Sequence, residues 1–99
     1  MDMKKCNSLE EVRKEVDRID AKLIDLISQR SHYIRQAASF KESVAEVKTE
    51  ERIDFILTKV RHRAIELGVS PNMISELFEI MIDEMVETEI AELKNRNKF

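Results

Sequence analysis

Apolar residues recur in steps of three and four along the first part of the chain, at Leu9, Val12, Val16, Ile19, Leu23, Leu26, Tyr33, Ala37 and Phe40. That is the period of a helix with one buried face. Ser8 followed by Glu11 opens the run as a capping box, because each side chain can accept from a backbone N–H that the helix leaves without a partner. No Gly or Pro interrupts the pattern for about 32 residues, roughly 48 Å at the helical rise. A compact chain of this size has a radius of gyration of only about 13 Å, so the far half of the helix requires a second chain. Residues 42–48 are weakly periodic and read as a loop. Thr49 then caps a second helix through Ile53, Ile56, Leu57, Val60, Ala64 and Leu67, which Gly68 stops in the left-handed conformation. Ser70 and Pro71 read as N-cap and first residue of a third helix, whose stripe is Ile74, Leu77, Phe78, Met81, Ile82, Met85, Val86 and Ile90 and which frays around Asn95. The expected fold is all-α, with three helices at about 8–41, 49–67 and 70–94 in a single domain over 1–99.

Composition narrows the function more than the fold. With 99 residues, one Gly and one Pro, the chain has room for one core and few means to build β-turns. A formal net charge of -3 argues against nucleic acid as a partner, since phosphate neutralisation demands a basic excess. The run Lys59, Arg61, His62, Arg63 reads as a solvated helix flank. The single Cys6 cannot form an internal disulfide, which fits a reducing compartment. The N-terminus lacks the apolar stretch of a signal peptide and no apolar run approaches the roughly 20 residues that span a bilayer, so no membrane association and a cytoplasmic location are expected. His32 and His62 have no partner spacing for a zinc site, and Met73, Met81 and Met85 read as core filling.

Charges stand where the apolar pattern wants carbon. The first stripe passes from Leu26 through Arg30 to Tyr33, and the third passes from Phe78, Ile82 and Met85 into Glu89. An unpaired charge in such a seam costs several kcal/mol, so together they suggest a buried polar pocket. Lys41 lies eleven positions after Arg30, about 20° around the helix and on the same face. Arg52 stands in the first turn of the second helix, where anions are already favoured. Arg13 is about 25 Å from Arg30 along the helix, too far for one small ligand. If two first helices pair antiparallel about a dyad near residue 24 or 25, Arg13 of one chain falls between Arg30 and Lys41 of the other, and the pocket is shared between subunits. Three arginines, a lysine and a carboxyl group around an apolar cavity suit a small ligand with two carboxylates, each held in a bidentate fork.

On these residues the chain resembles the all-helical chorismate mutases and the related isochorismate-pyruvate lyases over nearly its whole length. LEEVRKEVDRID is similar to the family's opening and puts its arginine at Arg13. LIDLISQR ends on Arg30, ASFK sets the family lysine at Lys41, EER gives Arg52, and ELFEIMIDEMVETE resembles the last helix, with Glu89 where Gln is usual. The resemblance implies an intertwined homodimer of three-helix chains with two intersubunit sites and no cofactor or metal. It also implies a place in the shikimate route to aromatic amino acids, with chorismate rearranging to prephenate by a pericyclic shift. Arg13 of the partner subunit and Arg30 would hold the carboxylates and Arg52 would support the substrate side. Lys41 and Glu89 would face the ether oxygen where negative charge builds. To donate there Glu89 must carry a proton.

Two positions depart from the typical bacterial mutase: Met85 replaces a hydroxyl residue and Ile53 an acidic one. FKES and the length of the following loop are closer to the lyase, which releases pyruvate from isochorismate to give salicylate. The mutase is the favoured reading and the lyase the runner-up. A non-catalytic helical dimerisation or regulatory module is the third, against which stands the intact set of Arg13, Arg30, Lys41 and Arg52.

Overall fold

A computed structural model, which describes residues 3–96, contains four helices among those residues: α1 (Leu9–Ala38), α2 (Val44–Val47), α3 (Glu50–Leu67) and α4 (Pro71–Arg96). The all-α class is therefore as expected, and the second and third helices read from the sequence are α3 and α4. No helix among the described residues is long and apolar enough to cross a membrane. By its contacts the chain divides into two units, Met1–His32 and Tyr33–Phe99.

The first unit is dominated by α1. Its start is the expected capping box with one difference: Ser8 Oγ accepts from Glu11 N–H at 3.1 Å, while the Glu11 carboxylate reaches Asn7 N–H at 2.8 Å. Its apolar stripe is uncovered. Leu9, Val12, Val16, Ile19, Leu23 and Leu26 and their neighbours Ile24 and Ile27 are all at least 42% exposed. These residues form an apolar strip along one face of α1.

In the second unit α3 packs along α4, and α2 packs on α4 as well. The buried apolar residues are Ala38, Val47, Ala64, Ile82 and Leu93. Three element boundaries differ from the sequence reading. The first helix ends at Ala38 rather than near 41, because the N–H groups of Ser39, Phe40 and Lys41 turn back to carbonyls three residues earlier, and Glu42 N–H bonds the Glu46 carboxylate at 2.6 Å instead of continuing the helix. That same bond lies at the start of a single helical turn, α2, inside the segment expected to be loop; its N-cap residue Ser43 makes no side-chain capping bond, and Val47 is its buried anchor. The last helix continues to Arg96. Thr49 is the N-cap residue of α3, but its side chain makes no capping hydrogen bond.

The turn between α3 and α4 follows its sequence signals closely. Gly68 adopts φ 72° and ψ 25°, its N–H bonds Ile65 C=O at 3.2 Å, and Val69 N–H bonds Ala64 C=O at 2.9 Å. Ser70 Oγ accepts from Met73 N–H at 3.2 Å, with Pro71 beginning the helix. Arg61 adds a staple across the turn, donating from Nη1 to Ser75 Oγ at 2.8 Å and to Pro71 C=O at 3.3 Å. Part of the expected solvated basic run thus joins two helices. Arg63 pairs with Glu66, and Lys59 lies over the Phe55 ring.

A Cβ at Gly68 would meet nothing within 4 Å, so the cost of adding one lies in the backbone conformation alone. Gly68→Ala is expected to lower stability by about 1 kcal/mol, read as a shifted urea midpoint at unchanged slope. An unshifted midpoint would show that the left-handed stop does not constrain this turn.

Candidate functional site

Ser75 and Glu89 are the buried polar residues among those described, and Glu89 is only 4% exposed. A carboxylate removed from water needs a compensating partner. Lys41 supplies it: its Nζ donates to Glu89 Oε2 at 2.6 Å, with the two side chains 26% and 5% exposed. Lys41 stands on the short non-helical stretch after α1, and Glu89 lies in the third quarter of α4, so residues 48 positions apart meet in one polar contact. A cleft of about 570 Å³ lined by Ser39, Phe40, Lys41, Glu42 and Arg96 opens at the Lys41 end of this pair.

The other expected site residues are placed as follows. Arg13 and Arg30 both stand on α1 in the first unit, Arg13 exposed and Arg30 half-buried. Arg52, in the first turn of α3, is exposed and holds its guanidinium 5.3 Å from the centre of the Phe55 ring. Of the five residues, then, Lys41 and Glu89 are brought together directly. Met85 and Ile53, which replace polar residues of the typical mutase, are both half-buried. Among the described residues no three His, Cys, Asp or Glu side chains gather as a metal site.

One residue of this region was not singled out from the sequence. Arg96, in the segment expected to fray, extends its guanidinium to the turn that carries Lys41. Nη1 donates to Ala38 C=O at 3.2 Å and Ser39 C=O at 3.1 Å, and Nη2 donates to Lys41 C=O. The one available signal was its spacing: Ser75, Ile82, Glu89 and Arg96 recur every seven residues, on nearly the same face of α4.

Chemically, the arrangement offers a fixed ammonium group beside an open cleft, with a buried carboxylate holding it. A positioned cation of this kind can stabilise negative charge that develops on a bound molecule. Comparison with known proteins supplies the family. A sequence model of the family described as chorismate mutase type II matches residues 12–90. The chain is 29% identical over 94 residues to a chorismate mutase of Methanocaldococcus jannaschii, covering 91% of this chain and 95% of that protein. It is 30% identical over 73 residues to an isochorismate pyruvate lyase of Pseudomonas aeruginosa, covering 74% and 72%. It is also 30% identical over 97 residues to a bifunctional chorismate mutase/prephenate dehydratase of Buchnera aphidicola, covering 94% of this chain but 25% of that longer protein.

The buried pair has a consequence for stability. Lys41→Ala leaves the Glu89 carboxylate buried without its cation, and should cost about 2 kcal/mol, at the low end for a broken buried pair because Lys41 is partly exposed. Adding Glu89→Gln to that variant should recover most of the loss, because a neutral amide is cheaper to bury than a charge. Denaturant titration of the two variants and the native protein measures both steps, and a Lys41→Ala midpoint equal to the native one would contradict the pairing.

Proposed function

The chain belongs to the chorismate mutase type II family, and from that membership together with the buried Lys41–Glu89 pair we propose that it is an isomerase that rearranges chorismate to prephenate. The ether C–O bond of the substrate breaks as a C–C bond forms, with no covalent bond to the protein. The task of the site is to hold a flexible dicarboxylate in its reactive shape and to meet the charge that builds on the ether oxygen. An ammonium has three N–H donors. Lys41 spends one on Glu89, which removes the freedom of its long stem, and has others to offer the ether oxygen. Glu89 faces the same oxygen in this reading and holds the ammonium toward it. Arg30 and Arg13 of the partner subunit bind the two carboxylates, since a guanidinium matches each in a planar fork. Arg52 supports the substrate side by leaving the Phe55 ring, an exposed contact worth only about 0.5–1 kcal/mol.

The shared site requires a homodimer, and the uncovered stripe of α1 supports one. Val12, Val16, Ile19, Leu23 and Leu26 each retain 43–60% of their exposure, so covering them contributes roughly 1 kcal/mol per side chain. In this reading the protein works in the cytoplasm on a small dicarboxylate, without a cofactor and without nucleic acid or membrane as partner.

A second reading, the lyase that releases pyruvate from isochorismate, is favoured by FKES, by the length of the following segment and by the Pseudomonas relative. Offering chorismate and isochorismate separately to the purified protein distinguishes them. Prephenate from chorismate is expected, with turnover lowered on the order of 100- to 1000-fold in Lys41→Ala. Pyruvate from isochorismate with no prephenate from chorismate would establish the lyase instead, and no turnover of either would leave a non-catalytic helical module.

The intersubunit site has its own test. Arg13→Ala and Arg30→Ala are each expected to be nearly inactive. Unfolded and refolded together, they should form mixed dimers in which one of the two sites regains both arginines, so activity returns. A mixture as inactive as its components would place both arginines of a site in the same chain.

A further inference from the structure

Ser75, Glu89 and Arg96, polar residues on one seven-residue row of α4, each tie that helix to another segment of the second unit. Seven residues turn the helix by 700°, within about 20° of two full turns, and advance it by about 10.5 Å. Ser75 takes the Arg61 staple at one end of this row, and Glu89 takes the Lys41 ammonium. Arg96, two turns beyond Glu89, takes the carbonyls of Ala38, Ser39 and Lys41. Lys41 is therefore held twice by one helix, by its side chain through Glu89 and by its backbone through Arg96.

The chemistry of that second hold is specific. A helix leaves its last four carbonyls without intrahelical donors and carries partial negative charge there. Ala38 is the last residue of α1, and the carbonyls that Arg96 reaches belong to this terminus and to the turn leaving it. A guanidinium suits the place twice over, by its charge and by donors fanned in one plane. Lys41 lies outside any helix, so its backbone lacks the regular ladder that fixes Glu89.

We propose that Arg96 is a positioning residue for Lys41: by tying the 38–41 turn to α4 it fixes the point from which the ammonium reaches the reacting oxygen. This rests on the role given to Lys41 in the rearrangement of chorismate. A displacement of about 1 Å at a reacting group can cost on the order of 100-fold. Arg96 is itself exposed and Glu89 still holds the side chain, so a smaller loss, about tenfold, is expected.

The experiment combines kinetics on chorismate with amide hydrogen exchange in Arg96→Ala, Arg96→Lys, Lys41→Ala and the Arg96→Ala/Lys41→Ala double variant. Arg96→Ala should lower kcat about tenfold with KM changed by less than about threefold, the pattern of a lost transition-state contact. Amides of residues 39–42 should exchange faster while those of α3 keep their native rates. Arg96→Lys should recover part of the loss, because an ammonium can reach some of the carbonyls without spanning all three. In the Lys41→Ala background the same Arg96→Ala change should cost less than about twofold, since nothing remains to be positioned. Equal losses in both backgrounds, a native kcat in Arg96→Ala, or unchanged exchange at residues 39–42 would each overturn the proposal. Native turnover in Lys41→Ala would overturn it differently, by removing the role of Lys41 on which it rests, and exchange in Arg96→Ala would then report only on the turn.

Discussion

A carboxylate almost fully removed from water at Glu89 is the constraint around which the second unit is arranged. Alone it would be too costly to bury, so the chain has to deliver a cation to it. The cation comes from a segment 48 residues earlier, and that segment must therefore end its helix and turn at the right place. The early stop of α1 at Ala38 and the Glu42–Glu46 bond that opens α2 are local events, but they serve this meeting. If α1 ran on as a regular helix to residue 45, the carbonyls that Arg96 reaches would be committed to the helical ladder.

The packing that supports the pair is modest and directional. α4 is the common partner of α2 and α3, and its inner row alternates polar ties with apolar burial: Ser75 to Arg61, Ile82 in the core, Glu89 to Lys41, then Leu93 and Arg96. Polar ties have directions and lengths where apolar contacts have only area, so they fix register along the helix as well as closeness to it. The Arg61 tie sets the α3–α4 turn, and the Glu89 and Arg96 ties set the turn that leaves α1. The geometry of Lys41 thus depends on a helix that begins thirty positions further along the chain.

Much of this was legible in the sequence because the signals were local or violated a period. Ser8 with Glu11, Gly68, and Ser70 with Pro71 each act within a few residues, and their hydrogen bonds were readable from spacing, except that Glu11 takes the N–H of Asn7 rather than that of Ser8. Glu89 stood out because it interrupts an apolar stripe, and Lys41 because it shares the face of Arg30. Arg96 gave no such signal: it lies past the last apolar residue of its helix, and its acceptors are backbone carbonyls, which look alike in every sequence. Arg61 was hidden among neighbouring charges, two of which do lie at the surface. The one-turn α2 is too short for a period to show. Thr49 has the composition of a cap without the bond, since residue type permits that contact but does not compel it.

The same constraint bears on why the chain carries a stripe it leaves uncovered. A buried ion pair contributes little net stability, because the desolvation of two charges offsets most of their attraction. Of the five buried apolar residues in the described chain, two are alanines, which add little buried area. A unit this small with a charged seam therefore holds limited free energy of its own. The long apolar face of α1 is where more can be gained, and in the proposed dimer it is gained only when a second chain arrives. In that proposal the position of Arg13 and Arg30 on the same helix would tie ligand recognition to assembly, the element that stabilises the dimer also carrying the cations for the substrate carboxylates. On the proposed function, charges kept in position for a transition state would weaken a small fold, and association through α1 would offset that cost without moving them.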